Sequence, residues 1–211
     1  MKTQELIELL SAQAGPADTG FVQRCASRVA AIGLLSAGVI ALALLGPIPA
    51  NMLFTPAPWL KLAYAGVLAF ATGCLFVQLG KPGAPSKSAS TAAACVVSAS
   101  LLFGCLHYFQ ADLDQQQALL WGHSWIACPW LIALVSLPGL VGSLWAMRSL
   151  APTRPAAAGF GCGVFAGSLG AMGYALACTE SSPIFVALWY TLGIVLVGVL
   201  GALAGPRVLR W

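Results

Sequence analysis

Charge is what this sequence has least of. Ten Lys+Arg and six Asp+Glu make up 8% of its 211 residues, against about 25% in an ordinary soluble domain. So few charges cannot coat a water-soluble globule of this size, which excludes a soluble enzyme, a disordered chain and direct contact with nucleic acid. Also missing is any CxxC spacing, and the seven cysteines are an odd number, so neither a disulfide scaffold nor a zinc ribbon is indicated. No Gly-rich phosphate loop, HExxH or Ser-His-Asp arrangement occurs, so a metabolic enzyme has no visible nucleophile–base pair. No Asp, Glu, Arg or His falls at mid-depth in any apolar run, which disfavours a transporter, proton pump or voltage sensor.

What the chain does have is 59% hydrophobic residues and a mean hydropathy of +0.87. A bilayer core of about 30 Å needs about 20 apolar residues per helix. Six runs qualify, at residues 29–48, 59–79, 90–108, 125–147, 156–178 and 184–204. They are too long and continuous for barrel strands. The expected fold is all-α, a polytopic bundle of six transmembrane helices. Residues 1–28 form a cytoplasmic segment, 29–204 the membrane domain and 205–211 a short tail. The first run follows 28 fairly polar residues without a convincing cleavage site and is read as an anchor.

Orientation follows the basic residues. Lys2, Arg24, Arg28, Lys81, Lys87, Arg148, Arg154, Arg207 and Arg210 all fall on one side of the six spans. The exception, Lys61, lies one turn inside the second span and is expected to snorkel outward. Asp112, Asp114 and Glu180 lie on the opposite side. Both termini are therefore expected in the cytoplasm. The tryptophans and tyrosines near the span ends are read as interfacial anchors. Gly159, Gly163, Gly167 and Ala171, with Gly201 and Gly205, form small-residue seams for close helix approach. Pro138 is expected to kink the fourth span.

This frame sorts the thiols by depth. Cys25 is cytoplasmic, Cys74 is deep, and Cys95 and Cys162 lie in the inner halves of their spans, while Cys105, Cys128 and Cys178 gather at the outer ends. A single membrane cysteine is usually small apolar filler. Three at one interface point to ionisation, oxidation or soft-metal binding, on a side that in a bacterium is oxidising. Cys128 and Cys178 are candidates for a redox- or metal-responsive pair, with Glu180 or a histidine (His107 or His123) as auxiliary ligand. A disulfide needs alpha carbons within about 7 Å.

Ahead of the first span, TQELIELLSAQA at 3–14 reads as an amphipathic helix stopped by Gly15-Pro16. Leu6, Leu9 and Leu10 share a face, with Ile7 at its edge. Twelve residues are marginal alone in water. Glu5 and Glu8 suit an anionic leaflet poorly, so a groove on a cytosolic protein is the favoured partner.

The opening MKTQELIELL, the stretches WIACPWLIALVSLPGL and RSLAPTRPAAAGF, and the closing YALACTESSPIFVALWYTLGI and GALAGPRVLRW occur in an order and spacing that resembles the NrsF family of membrane anti-sigma factors. The resemblance covers nearly the whole chain. It implies an inner-membrane protein of six helices whose cytoplasmic N-terminal segment restrains an extracytoplasmic-function (ECF) sigma factor. It also implies a cysteine pair for response to oxidants and heavy metals, falling on Cys128 and Cys178, and no cofactor beyond a transient soft-metal ion there. Ala177 stands where the resemblance implies a histidine. Sigma binding would use the Leu6, Ile7, Leu9 and Leu10 face, since the HxxxCxxC motif of soluble anti-sigma domains is absent. A small-molecule exporter or channel and a membrane thiol oxidoreductase are the alternatives.

Overall fold

A computed structural model describes residues 20–81, 86–150 and 152–210, together with Gln4. Among them every regular element is helical. The first helix, α1, runs Phe21–Leu45. A 3₁₀ turn at Ala50–Phe54 leads into α2, Pro56–Leu79, and α3 spans Lys87–Gln110. A short α4 at Leu113–Trp121 precedes α5, Ala127–Arg148, and α6, Pro155–Ala175. The last helix, α7, covers Pro183–Val208 and is interrupted by a π turn at Val186–Tyr190. Six of these helices, all but α4, are long and apolar enough to cross a membrane.

Two boundaries differ from the hydropathy pattern. α1 begins at Phe21, so residues 21–28, expected in the cytoplasmic segment, form its first two turns. Nothing between Gly20 and Gly46 breaks a helix, and hydropathy misses the polar opening turns. At 1.5 Å per residue, 25 residues span about 37 Å, enough to carry Arg24 and Arg28 past the hydrocarbon. Gly46 ends α1 with φ of +77°, where its N–H still bonds the Leu42 carbonyl at 2.9 Å. The second difference is α4, nine helical residues in a stretch expected to be loop. Pro138 lies within α5, which continues through it from Ala127 to Arg148.

The bundle is built around α6, which packs against α1, α2, α5 and α7 and is buried along nearly all its length. Its most intimate neighbour is α7. A β-carbon at Gly159 would fall on the Gly201 carbonyl oxygen, and one at Gly201 on that of Gly159; Gly163 faces the Val197 carbonyl and Gly205 that of Pro155. The two glycine seams expected from sequence therefore meet each other, backbone against backbone, as small residues in membranes allow. On another face of α6, Gly173 abuts the backbone of Ala37 and Gly38 in α1. α3 lies at the rim, with only Ala89 and Gly104 buried, and Gly104 pins it to the backbone of Ile184.

Lys61, Cys178 and a cluster of tryptophans occupy one end of this bundle. Arg28 and Arg148 flank a cleft of about 720 Å³ between α1 and α5 at the other.

Gly159→Leu should separate α6 from α7 and cost at least the ~1–3 kcal/mol of an overpacked core. Thermal unfolding in detergent should show a clear drop in Tm. Gly142→Ala, where the new carbon meets nothing within 4 Å, should leave Tm nearly unchanged.

Candidate functional site

The N-terminus of α5 is reached through a tight turn at 122–126. Gly122 opens it with φ of +52°, and a β-carbon there would come within 2.7 Å of the Glu180 carboxylate. Glu180, reaching across from the α6–α7 loop, satisfies this turn. Its Oε1 accepts the N–H groups of His123 at 2.7 Å and Ser124 at 3.1 Å, and the Ser124 hydroxyl at 3.2 Å. An acid at a helix N-terminus also meets the positive end of the dipole. The Ser124 carbonyl in turn receives the N–H of Cys128 at 2.8 Å, which fixes that cysteine in the first turn of α5.

Cys178 is held from both sides of its peptide. Its N–H continues the last turn of α6 by bonding the Tyr174 carbonyl at 3.0 Å, and its own carbonyl accepts Lys61 Nζ at 2.7 Å. Cys128 and Cys178 belong to one buried cluster with Tyr174 and Tyr190. Both lie at helix ends, as expected, but neither faces water: Cys128 is 0% and Cys178 4% exposed. The Tyr174 hydroxyl lies within interaction range of both thiols, and that of Tyr190 is directed toward Cys178. The tyrosine rings sit 5.7 Å apart. Tyr190 ends the π turn of α7, the kind of local irregularity that recurs at functional sites. Thr191 secures the turn by donating to the Ala187 carbonyl and meeting the Tyr64 hydroxyl at 2.6 Å.

Three tryptophans close this end of the bundle. Trp121, Trp125 and Trp189 stack pairwise with centroids 4.7, 5.4 and 5.8 Å apart, and Trp189 Nε1 donates to the Leu120 carbonyl at 2.9 Å. They were expected to be membrane anchors; Trp121 and Trp125 stay exposed, and the three rings also tie α4, the 122–126 turn and the π turn together, with Trp189 packed against the thiol cluster.

The largest departure concerns Lys61. Expected to snorkel outward, it is 1% exposed and turned into the protein. The reason is local: the open carbonyl of Cys178, past the end of α6, offers an acceptor that the surrounding hydrocarbon cannot. A charged side chain inside a membrane bundle is costly and usually marks a working site. A lysine one turn inside an apolar run was the signal, and it pointed inward.

The remaining candidates divide plainly. Cys105 lies on α3, outside the buried cluster. Cys162 is buried elsewhere, in reciprocal contact with Ser143 of α5. Among the described residues no three His, Cys, Asp or Glu side chains gather as a metal site, and Glu180 is committed to the 122–126 turn. Leu6, Ile7, Leu9 and Leu10 lie outside the described residues.

Replacing Glu180 with Ala should strip three donors of their acceptor and destabilise the α5 N-terminus by about 1.5–3 kcal/mol, the range for hydrogen bonds to a charged group. The expected readouts are a lower Tm in detergent and faster amide exchange at His123 and Ser124.

The whole arrangement can be set beside known proteins. A family model described as "Negative regulator of sigma F" matches residues 10–211. The chain is 35% identical to the anti-sigma-F factor NrsF of Caulobacter vibrioides and 33% identical to the probable anti-sigma-F factor NrsF of Azospira oryzae, in each case over the full length of both chains. No solved structure matches it. Family model and full-length relatives agree, and the chain belongs to the NrsF family, whose role is regulatory rather than enzymatic.

Proposed function

We propose that this anti-sigma protein holds an ECF sigma factor at the bacterial inner membrane and releases it when Cys128 and Cys178 are oxidised or take up a soft metal ion. The observation that carries the reading is the convergence of two thiols from different elements in one buried cluster, beside a buried lysine and with Trp189 packed against it. The distribution of Lys and Arg supports a cytoplasmic leader and tail, with the cysteine end facing the periplasm. The apolar face of Leu6, Ile7, Leu9 and Leu10 is the part of the chain suited to a groove on the sigma factor.

Signal transfer needs an element with two arrangements that both ends bias. Joining the sulfurs, or bridging them with a metal, changes the distance between the α5 N-terminus and the α6–α7 loop. Because interiors are close-packed, such a change cannot be absorbed locally. The backbone contact of α6 with α7 makes these two helices a stiff unit. A displacement at the cysteine end is carried along it toward the basic end, where the leader enters α1.

Co-purification with a co-expressed ECF sigma factor tests the two halves separately. The full-length protein should retain the factor, and a variant lacking residues 1–15 should lose it. The Cys128→Ser/Cys178→Ser variant should retain it and no longer release it on treatment with a thiol oxidant or cadmium. Constitutive release by that variant, or an unaltered response, would contradict the reading.

A further inference from the structure

An ammonium group carries three N–H donors. The Lys61 ammonium, buried inside the bundle, meets a single acceptor among the described residues, the Cys178 carbonyl at 2.7 Å. Buried polar hydrogens are almost always matched, and this contact turns the ammonium toward the end of α6 rather than outward. A second polar group points the same way: the Tyr190 hydroxyl is fully buried and directed toward the Cys178 side chain, with no nitrogen or oxygen partner among the described residues. The titratable groups around the sulfurs are Lys61 and Tyr64 on α2, Tyr174 on α6, Tyr190 on α7 and Glu180 in the α6–α7 loop. The acid among them, Glu180, has turned its Oε1 to His123 and Ser124. No hydrogen bond joins Glu180 to Lys61, whereas the contact with the Cys178 carbonyl sets the ammonium next to that residue, and Cys128 lies within charge–charge range of it.

We propose that Lys61 is the counter-cation of the cysteine pair: its ammonium group anchors Cys178 through the carbonyl and balances the thiolate with which Cys128 or Cys178 attacks a soft electrophile. Reaction begins when a thiol loses its proton to water and the sulfur lone pair forms the new bond, either to a soft metal ion, which gives up a water ligand, or to the terminal oxygen of a hydroperoxide, whose O–O bond breaks and whose departing alkoxide takes a proton from water, leaving the sulfur oxidised to a sulfenic acid and the peroxide reduced to an alcohol. The Tyr190 hydroxyl donates to the same anion. A cleft of about 380 Å³ between α2, α3 and the start of α7 is lined by Lys61, Tyr64, Ser100, Phe103, Ser181 and Val186, so it reaches the lysine without parting the tight α6–α7 contact. This makes Lys61 a positioning residue, acting on the chemistry through the sulfurs.

The inference deepens the sensing reading above and rests on it for its purpose, while its test reads the thiols alone. A sigma factor indifferent to the cysteine pair would sink the former and leave the result for Lys61 standing. The full chain in detergent micelles is treated with N-ethylmaleimide across a range of pH, and modification of Cys128 and Cys178 is followed by site-resolved mass spectrometry. In this step the S–H proton goes to solvent, sulfur bonds one alkene carbon and the other takes a proton from water. Lys61→Met should slow alkylation near neutral pH by about tenfold and move the rise of the rate to higher pH by about one unit, the change in thiolate fraction for that loss of stabilisation. Lys61→Arg, which keeps the charge, should restore most of the rate. An unchanged profile in Lys61→Met, faster labelling in it, or an equal loss in Lys61→Arg would overturn the proposal. A second measurement needs no variant. A neighbouring cation draws anionic iodoacetate in preference to neutral iodoacetamide, so their rate ratio at these two thiols should exceed that of free cysteine several-fold. A ratio equal to or below the free value would overturn it as well.

Discussion

Helices inside a bilayer gain little by hiding apolar side chains from lipid, because lipid is apolar too. They must be held by close packing, and in this protein the closest packing is the contact of α6 with α7, where carbonyl oxygens occupy the space of missing β-carbons. Other parts take their position from it. With α7 fixed on one face, α6 has room on its others for α1, α2 and α5, again partly through glycine. α3, which has little of this contact, is left at the rim. The thiol cluster sits where the ends of α5, α6 and α7 are forced together by the same packing.

The polar groups at that end form a connected set. Glu180 is consumed by the turn that positions Cys128; the Cys178 carbonyl is consumed by Lys61; Thr191 is consumed by the π turn and Tyr64. Cys128 and Cys178 are themselves almost wholly buried at this end of the bundle.

Much of the architecture was legible in the residues. The six spans follow from length and hydropathy, and the glycine spacing at 159, 163 and 167 announced the seam that meets Gly201 and Gly205. The pairing of Cys128 with Cys178 was suggested by depth, since both fall at the same end of successive spans. Depth along a helix says nothing about rotation around it, however. For that reason Lys61 was expected to face outward. Side-chain direction there is set by the Cys178 carbonyl and by the π turn, neither of which leaves a mark in hydropathy. The start of α1 was missed for a related cause: Arg24 and Arg28 depress the apolar average without interrupting the helix.

The π turn at Val186–Tyr190 has a geometric consequence for the far end of α7. Each residue of an α-helix advances the chain by about 100° around its axis, and a π turn accommodates one more residue than an α turn does. Tyr190 lies before that insertion ends and Gly201 and Gly205 lie after it, so the angular offset between the tyrosine and the glycines is set by the bulge. Removing a single residue there would swing the lower half of α7 by more than a quarter revolution and present branched side chains to α6 in place of hydrogen. The placement of a phenol at one end of the molecule and cohesion at the other are thus locked to a common rotational phase.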